Sequence, residues 1–497
     1  MINKNIVVVG GGTAGWLSAL FAKKRYPDAN VTLIESTEIG IIGAGEGTVP
    51  QVLMLFKDLG IDTADLILNT KATIKNGIKF TNWSKDGKSY FHGFDGNPKN
   101  LEGLNDVDFE NRDFPNSRLF AYSEKINNED FCFTTMISDQ NRVPYVKEEN
   151  IYKQYSSHAI HFDARILANF LKNKSLERGI NHIDSKVVGS EISGDNVVSI
   201  TLENATTINT DFVVDATGFA RYFIGKLLNG EWISYSENLP ANSAQAFFLN
   251  VENKKEIEPY TESIASDYGW IWKIPLQHRY GCGYVYDSRI VSNEEIKKEI
   301  IQKYGNVEFI KEFKFQPGAF KNIWIGNCVA VGLSAGFVEP LEAMSLLQTT
   351  VTLDRVFNEA VDAINTDFPR EQVNKQCFSD SETIKDFLYL HYMTNKTNNN
   401  FWQNFTINNK MPDSLKEIYK KIINVEEIKT YNLWTESSYY LVAKGNGIMN
   451  ENNLFNFAKK YKKFNKDLKE NFQITKTFSK KTIKHYDFLK LNGGFSE

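Results

Sequence analysis

The stretch Ile6-Val7-Val8-Val9-Gly10-Gly11-Gly12-Thr13-Ala14-Gly15 constrains the fold more than any other part of the chain. A β-branched run bounded by glycine makes a strand that can be buried on both faces, as in a parallel sheet. Trp16 to Lys24 then has helical spacing, and Val31-Thr32-Leu33-Ile34-Glu35 is a second strand ending in an acid. Together they form a βαβ unit of about thirty residues. The glycines of Gly10-x-Gly12-x-x-Gly15 allow a tight turn and let the backbone approach a pyrophosphate, whose charge the helix N-terminus stabilises. Glu35, twenty residues after Gly15, can accept from a ribose hydroxyl and disfavours a 2′-phosphate there. An isolated GxGxxG would be weak evidence; in this context it specifies a dinucleotide, with Gly10, Gly12, Thr13, Ala14, Gly15 and Glu35 as candidate contacts.

Composition narrows the class without naming a function. The 497 residues carry 57 Lys+Arg against 61 Asp+Glu, a net charge of −4, with 42% hydrophobic and 24% charged residues. Those values exclude disorder, collagen and a membrane bundle. The near-neutral balance argues against a nucleic-acid binder, so the Lys-rich tail from Lys459 to Lys484 reads as a solvated helix face. Cys132, Cys282, Cys328 and Cys377 form no C-x-x-C pair, which predicts a reducing, cytoplasmic setting and no thiolate zinc site. The histidines have no metal-ligand spacing either. The apolar stretch Ile6–Ala22 is broken by glycines, so it reads as neither a signal peptide nor a membrane span.

Further along, Phe162-Asp163-Ala164 opens a helix through Leu171, and Asn181–Ser185 and Val187-Val188 read as strand. Phe212-Val213-Val214-Asp215-Ala216-Thr217-Gly218 is a buried strand closing on glycine. Ile325 to Val331 reads as another, followed by Gly332-Leu333-Ser334-Ala335-Gly336. Residues 76–95 and 243–287 alternate like antiparallel strands, and from about residue 350 the pattern is mostly helical. The stretches Asp215–Gly218 and Gly326–Gly332 resemble the second and third fingerprints of glutathione-reductase-type flavoproteins. No second GxGxxG follows a strand. The reading is one FAD and no built-in NAD(P)H domain, which fits reducing equivalents arriving from outside and equally a one-component monooxygenase, some of which also lack a second Rossmann unit.

Gly269-Trp270-Ile271-Trp272-Lys273-Ile274-Pro275 is the most specific run in the chain. Its tryptophans, at i and i+2, project from one face of an extended strand. The whole run resembles the WxWxIP hallmark of flavin-dependent halogenases of the tryptophan-halogenase family, which related monooxygenases generally lack. In that family Trp270, Trp272, Ile274 and Pro275 would form the barrier that keeps organic substrate from the flavin. Gly45-Glu46-Gly47-Thr48-Val49-Pro50 is similar to the family's second flavin-side loop, and Gly336–Glu342 to the segment with its catalytic glutamate, here Glu342. His391-Tyr392 followed by Phe401-Trp402 resembles the family's helical HY…FW element.

Thr73–Trp83 is similar to the family's catalytic-lysine segment. Lys75 and Lys79 would share a face of one strand, so periodicity leaves both open; alignment on Ile78, Phe80 and Trp83 selects Lys75. A buried amine has a lowered pKa; neutral, Lys75 could form a haloamine, and protonated it could hydrogen-bond and polarise hypohalous acid. Glu342 would take the ring proton or stabilise the cationic intermediate.

The resemblance implies a glutathione-reductase-type α/β FAD fold with an inserted antiparallel sheet and a helical C-terminal part. The division it implies is an FAD box over 1–365 and a helical substrate-side part over 366–497. FAD-contacting parts fall near 1–50, 155–230 and 320–365, and sheet insertions over 51–154 and 231–319. Ala44, Gly45, Glu46, Val187, Asp215, Gly218, Gly332 and Leu333 join the cofactor contacts. His92 and Phe94 fall where the family stacks an aromatic substrate, and Trp434, Tyr439 and Tyr440 are candidate pocket walls. The implied activity uses reduced FAD, O2 and halide to make hypohalous acid. That acid passes through a tunnel to Lys75 and Glu342 and halogenates an electron-rich aromatic such as an indole. A separate NAD(P)H-dependent flavin reductase would supply the reduced flavin; no nucleic acid or membrane is involved, and a homo-oligomer is allowed for.

One departure stands out. Where the family usually carries Ser-Thr-Gly after the glutamate, with backbone amides that bind halide, this chain has Ala343-Met344-Ser345. Amides need no particular side chain, but bulky Met344 points to bromide or iodide in preference to chloride. The competing readings are a flavin monooxygenase that hydroxylates directly, against which Trp270 and Trp272 speak, and a non-catalytic FAD-binding interaction protein.

Overall fold

The computed structural model describes residues 4–40, 45–84, 87–94, 132–360, 367–394, 400–429, 433–460 and 462–495. The chain divides into two compact units: residues 1–71, 162–236 and 315–382 form one, and 72–161, 237–314 and 383–497 form the other. This differs from the division expected over 1–365 and 366–497. Both sheet insertions group with the C-terminal helices, because strand Gly77–Thr81 pairs in parallel with Thr261–Ser266 and draws the two insertions into one sheet. The expected FAD-contacting stretches run close to the three segments of the first unit.

In the first unit, strand Asn5–Val9 lies between Asn30–Glu35 and Phe212–Asp215, all parallel. Asn181–Asp184 adds beyond Asn30–Glu35, and Cys328–Ala330 beyond Phe212–Asp215. Ile6, Val7, Val8 and Val9 are buried because both faces of this sheet are covered. Helix Thr13–Arg25 follows the first strand, with Lys23, Lys24 and Arg25 in its last turn, where cations complement the helix dipole. Helix Ala164–Glu177 is capped by Asp163, whose carboxylate accepts from the amides of Arg165 and Ile166, and it runs past the expected end at Leu171. The single strand expected over Ile325–Val331 is instead a tight hairpin. Trp324–Ile325 pairs antiparallel with Cys328–Ala330, and Gly326 turns the chain with φ +55°.

The second unit is built on a seven-stranded sheet. Its order is Glu308–Lys314, Ser243–Leu249, Tyr280–Tyr286, Gly269–Pro275, Thr261–Ser266, Gly77–Thr81 and Tyr90–Gly93. Phe247, Ile271, Cys282, Tyr284 and Tyr286 pack on Ile296 and Ile300. Those isoleucines come from helix Asn293–Tyr304, which starts at a Ser292/Glu295 capping box. Tryptophans are pinned here by their indole N–H groups. Trp83 donates to the His391 carbonyl at 2.8 Å, Trp402 to the Ser266 carbonyl at 2.9 Å and Trp270 to the Tyr392 hydroxyl at 3.0 Å. His391-Tyr392 and Phe401-Trp402, on helices Asp367–Tyr392 and Asn400–Asn408, therefore fasten helices to the sheet. No helix among the described residues is long and apolar enough to cross a membrane.

Candidate active site

The glycine turn of the first unit is shaped by what a side chain would strike. Gly10 has φ +121°, and a Cβ there would lie 2.1 Å from the Ala216 carbonyl oxygen. At Gly15 it would lie 1.8 Å from the Gly10 oxygen, whereas Gly12 faces open space. Gly12 is also the N-cap of helix Thr13–Arg25, and no side chain caps that helix. The amides around Thr13, Ala14 and Gly15 thus form an anion-stabilising end. Glu35 lies against the same turn, its Oε2 only 1.5 Å from where a Gly11 Cβ would sit. Its Oε1 accepts from Lys172 Nζ and pairs with His182 Nε2, both at 2.9 Å. Neither partner stood out in the sequence, because both come from a helix and a strand more than 130 positions away. An uncapped helix start, a side-chain-free cradle and an acid at the next strand end suit a dinucleotide such as FAD.

Other flavin-side candidates of this unit fall into distinct classes. Gly218 and Gly332 take φ of +65° and +59°, and the Ser334 hydroxyl donates to the Gly218 carbonyl at 3.3 Å. Leu333 lies in the short turn Gly332–Ser334. Val187 packs against the cluster of Val7, Val9 and Ile34. Asp215, another expected contact, has a fully buried carboxylate that is engaged by the chain itself. It accepts from the Thr217 amide and hydroxyl and from the Phe223 and Ile224 amides. Its carboxylate builds the turn that follows the strand. Gly45 has φ +95°, while Ala44 lies outside the described residues. Burial, reinforced by Asp163, raises the Glu46 carboxyl from the usual 4.5 to about 7.

Glu342 is only 3% exposed and has φ +66°. Ala343 follows with φ +57° as the N-cap of helix Met344–Asp354, which has no side-chain cap. Two successive left-handed non-glycine residues cost of order 1–3 kcal/mol each, so this sharp turn is held by its surroundings. Met344 is buried and Ser345 half-buried at the helix start.

In the second unit the two lysines separate cleanly. The sequence put Lys75 and Lys79 on one strand face; the structure breaks the segment at Asn76, whose amide donates to the Pro259 carbonyl at 2.7 Å. Thr73–Lys75 pairs with Ala159–Phe162, and Gly77–Thr81 belongs to the large sheet. Lys75 is 0% exposed, its Nζ 5.6 Å from the centre of the Phe94 ring. Lys79 is half-buried, over Tyr260 at 5.7 Å. The Phe94 amide donates to the Asn76 carbonyl at 3.2 Å, which ties the aromatic to the lysine segment.

His92 lies opposite Ile78 across the strand pair and meets Ser438 Oγ at 3.1 Å. Its ring is 5.9 Å from Phe387 and 6.1 Å from Trp434. Trp434 stacks on Phe387 at 4.0 Å, and Tyr439 meets Phe387 edge-on at 5.2 Å. The sequence candidates His92, Trp434 and Tyr439 thus share one aromatic cluster around Phe387, which only the fold reveals. Tyr440 points elsewhere: its hydroxyl donates to the Glu426 carbonyl at 2.6 Å, a packing role.

Trp270 and Trp272 are 1% and 8% exposed, with ring centres 6.3 Å apart. Trp272 lies over Gly283, where any Cβ would fall 2.0 Å from its ring. Ile274 and Pro275 complete the strand and are also buried.

Buried histidines surround the lysine strand. His161 Nδ1 meets Thr73 Oγ1 at 3.0 Å and its Nε2 meets Thr261 Oγ1 at 2.9 Å. His485 Nε2 accepts from the Ile74 amide at 3.0 Å. Burial holds His158 and His485 down to about 4, and burial together with Lys75 and His485 holds His161 well below 6.5. These groups were passed over in the sequence because their spacing has no pattern; only strand pairing assembles them.

A sequence profile of the tryptophan halogenase family matches residues 5–459. Tryptophan 7-halogenase KtzQ of Kutzneria sp. (strain 744) is 28% identical over 490 residues, covering 91% of this chain and 90% of its own. The 7-chloro-L-tryptophan 6-halogenase KtzR of the same organism is 30% identical over 436 residues, covering 83% of each chain. The structure of Tar14, a tryptophan C-6 flavin-dependent halogenase from taromycin biosynthesis, superposes with a TM-score of 0.85. It is 26% identical and covers 99% of this chain and 100% of its own. The glycine cradle, the tryptophan strand and a match over nearly the whole length lead to one conclusion: the chain belongs to the tryptophan halogenase family and is an enzyme of the flavin-dependent halogenase class.

Proposed function

We propose that this enzyme uses reduced FAD, O2 and halide to halogenate an electron-rich aromatic compound, an indole being the leading class. The observation that carries this reading is Lys75, a lysine with no exposed surface facing an aromatic ring, in the unit that also holds the buried Trp270/Trp272 strand. With FAD bound to the Gly10–Gly15 cradle and Glu35, the chemistry supplied is reduction of O2 coupled to oxidation of halide to hypohalous acid.

The chain's own groups direct that oxidant. Amides at the start of helix Met344–Asp354, around Ala343, Met344 and Ser345, attract halide. Trp270, Trp272, Ile274 and Pro275 exclude organic substrate from the flavin side, which suppresses direct hydroxylation. Lys75 Nζ hydrogen-bonds hypohalous acid and draws electron density from the halogen, making it electrophilic. Phe94, His92, Trp434 and Tyr439 offer aromatic faces and one imidazole to orient a flat substrate. The Glu342 carboxylate stabilises the cationic ring and takes its proton. Reduced flavin comes from a separate NAD(P)H-dependent reductase, a reading supported by a sequence with one GxGxxG, at Gly10–Gly15.

The test is mass spectrometry of products from an indole panel incubated with the enzyme, a flavin reductase, FAD, NADH and each halide in turn. A monohalogenated product that requires halide is expected. A halide-independent hydroxylated product would make the chain a monooxygenase, and FAD binding without any product would make it non-catalytic.

A further inference from the structure

The lysine strand is short, and its two neighbours in sequence are held by different devices. On the C-terminal side Asn76 bonds to Pro259, Ser138 and Arg142. On the N-terminal side Thr73 and Lys75, two apart, lie on one side of the strand, and both are 0% exposed. The Thr73 hydroxyl donates to the carbonyl of Pro275 at 2.6 Å, the residue that ends the tryptophan strand. Gln277 adds a parallel tie, donating to the Ala72 carbonyl at 2.8 Å.

The bond from Thr73 to Pro275 fixes a tautomer. A hydroxyl has one proton, and Thr73 gives it to Pro275, so toward His161 Nδ1 at 3.0 Å its oxygen can only accept. His161 therefore carries its proton on Nδ1, and Nε2 accepts from the Thr261 hydroxyl at 2.9 Å. The result is a directional chain from Thr261 through His161 and Thr73 to the Pro275 carbonyl. Each link is buried, where a missing partner is costly.

We propose that His161 is a positioning residue for Lys75. Its Nδ1–H orients the Thr73 hydroxyl onto the Pro275 carbonyl, so that the lysine strand stays fixed to the end of the tryptophan strand. This rests on the reading of Lys75 given above. His161 needs no contact with substrate or oxidant; its role is to keep the Lys75 amine where hypohalous acid is captured. If this tie loosens, halide is still oxidised, but the oxidant escapes from the enzyme instead of reaching the aromatic ring.

Four single variants and one double variant test this, with FAD binding and thermal midpoint as controls for folding. His161→Leu removes both nitrogens, His161→Asn keeps an N–H in place of Nδ1–H, Thr73→Val removes the hydroxyl at nearly constant shape, and Lys75→Ala tests the underlying reading. The readouts are halogenated product and escaped hypohalous acid, captured by a diffusible scavenger, each per O2 consumed. His161→Leu and Thr73→Val are expected to lower product by about 10- to 100-fold and raise the scavenged fraction, as sub-ångström misplacement does. His161→Asn should recover most of that loss, and the His161→Leu/Thr73→Val double variant should be no worse than either single. The proposal is overturned if folded Thr73→Val keeps full product, if His161→Asn is as impaired as His161→Leu, or if product falls without escape of oxidant. Full product from Lys75→Ala would instead overturn the reading of Lys75, whatever the histidine variants do.

Discussion

Around Gly10–Gly15 the first unit presents backbone, and its glycines leave little room for side chains. Around Lys75 the second unit presents side chains, while its backbone is occupied in strands. The first arrangement suits a ligand recognised by its phosphates, which amides at a helix start can serve whatever the neighbouring sequence. The second suits chemistry that needs a particular amine, ring or carboxyl at a particular place. Charge differs as well: burial shifts an acid of the first unit, Glu46 in the Gly45–Pro50 loop, whereas around the lysine strand it shifts the histidines His158, His161 and His485. The first site should therefore fail when a side chain is added, and the second when one is removed or protonated.

Adding a side chain to the cradle is the first way to break the contrast. Gly10→Ala places a methyl 2.1 Å from the Ala216 oxygen at a φ that L residues avoid. It should cost about 2–4 kcal/mol of stability and weaken ADP binding at least tenfold, read by urea unfolding and calorimetry. Unchanged ADP affinity would mean that the turn is not the nucleotide cradle.

Acid comes next. The unfolded chain protonates its histidines near 6.5, whereas folded His158 and His485 stay neutral down to about 4. Their folded values are depressed, so stability is lost as pH falls from about 6.5 to about 4. The loss is about 3 kcal/mol for each fully buried imidazole. His485→Gln keeps an acceptor for the Ile74 amide and should flatten that acid limb in thermal scans; an unchanged limb would place the sensitivity elsewhere.

Glu46 has the opposite sign. Its folded value is raised from 4.5 to about 7, so the stability it contributes is present below 4.5 and fades as pH rises toward 7. Glu46→Gln should remove that decline and leave the acid limb intact, a double dissociation that a shared cause could not produce.

The smallest effect concerns halide. With chloride and bromide at equal concentration, the brominated product should exceed the chlorinated one by a few-fold, because Met344 crowds the helix start that would hold the ion. Predominant chlorination would remove Met344 from the argument.

How far the sequence could be read follows the same contrast. Gly10–Gly15 with Glu35 was legible because backbone geometry restricts residue choice locally: few side chains survive at φ +121°. The Ile325–Val331 hairpin was missed because β-branched spacing does not reveal that Gly326 turns the chain. Lys75 could not be told from Lys79 by periodicity, since the break at Asn76 is made by a bond to Pro259, distant in sequence. The partners of the Asp215 carboxylate are hidden for a related reason: the amides of Phe223 and Ile224 that engage it come from a turn with no distinctive pattern. His161 is brought to Thr73 by strand pairing, and Phe387 to His92, Trp434 and Tyr439 by helix packing, neither of which any window of sequence contains.

The central claim is that the side-chain site around Lys75 directs halogenation, and one paired measurement tests it. Lys75→Ala and Lys79→Ala would be compared with the parent enzyme for bromoindole formed per O2 consumed, by liquid chromatography and mass spectrometry, with reduced FAD, bromide and indole. The account predicts that Lys75→Ala loses product by roughly a thousandfold, in the range seen when a group acting in the transition state is removed, while Lys79→Ala keeps it. Product retained by Lys75→Ala, or lost equally from both variants, would contradict it.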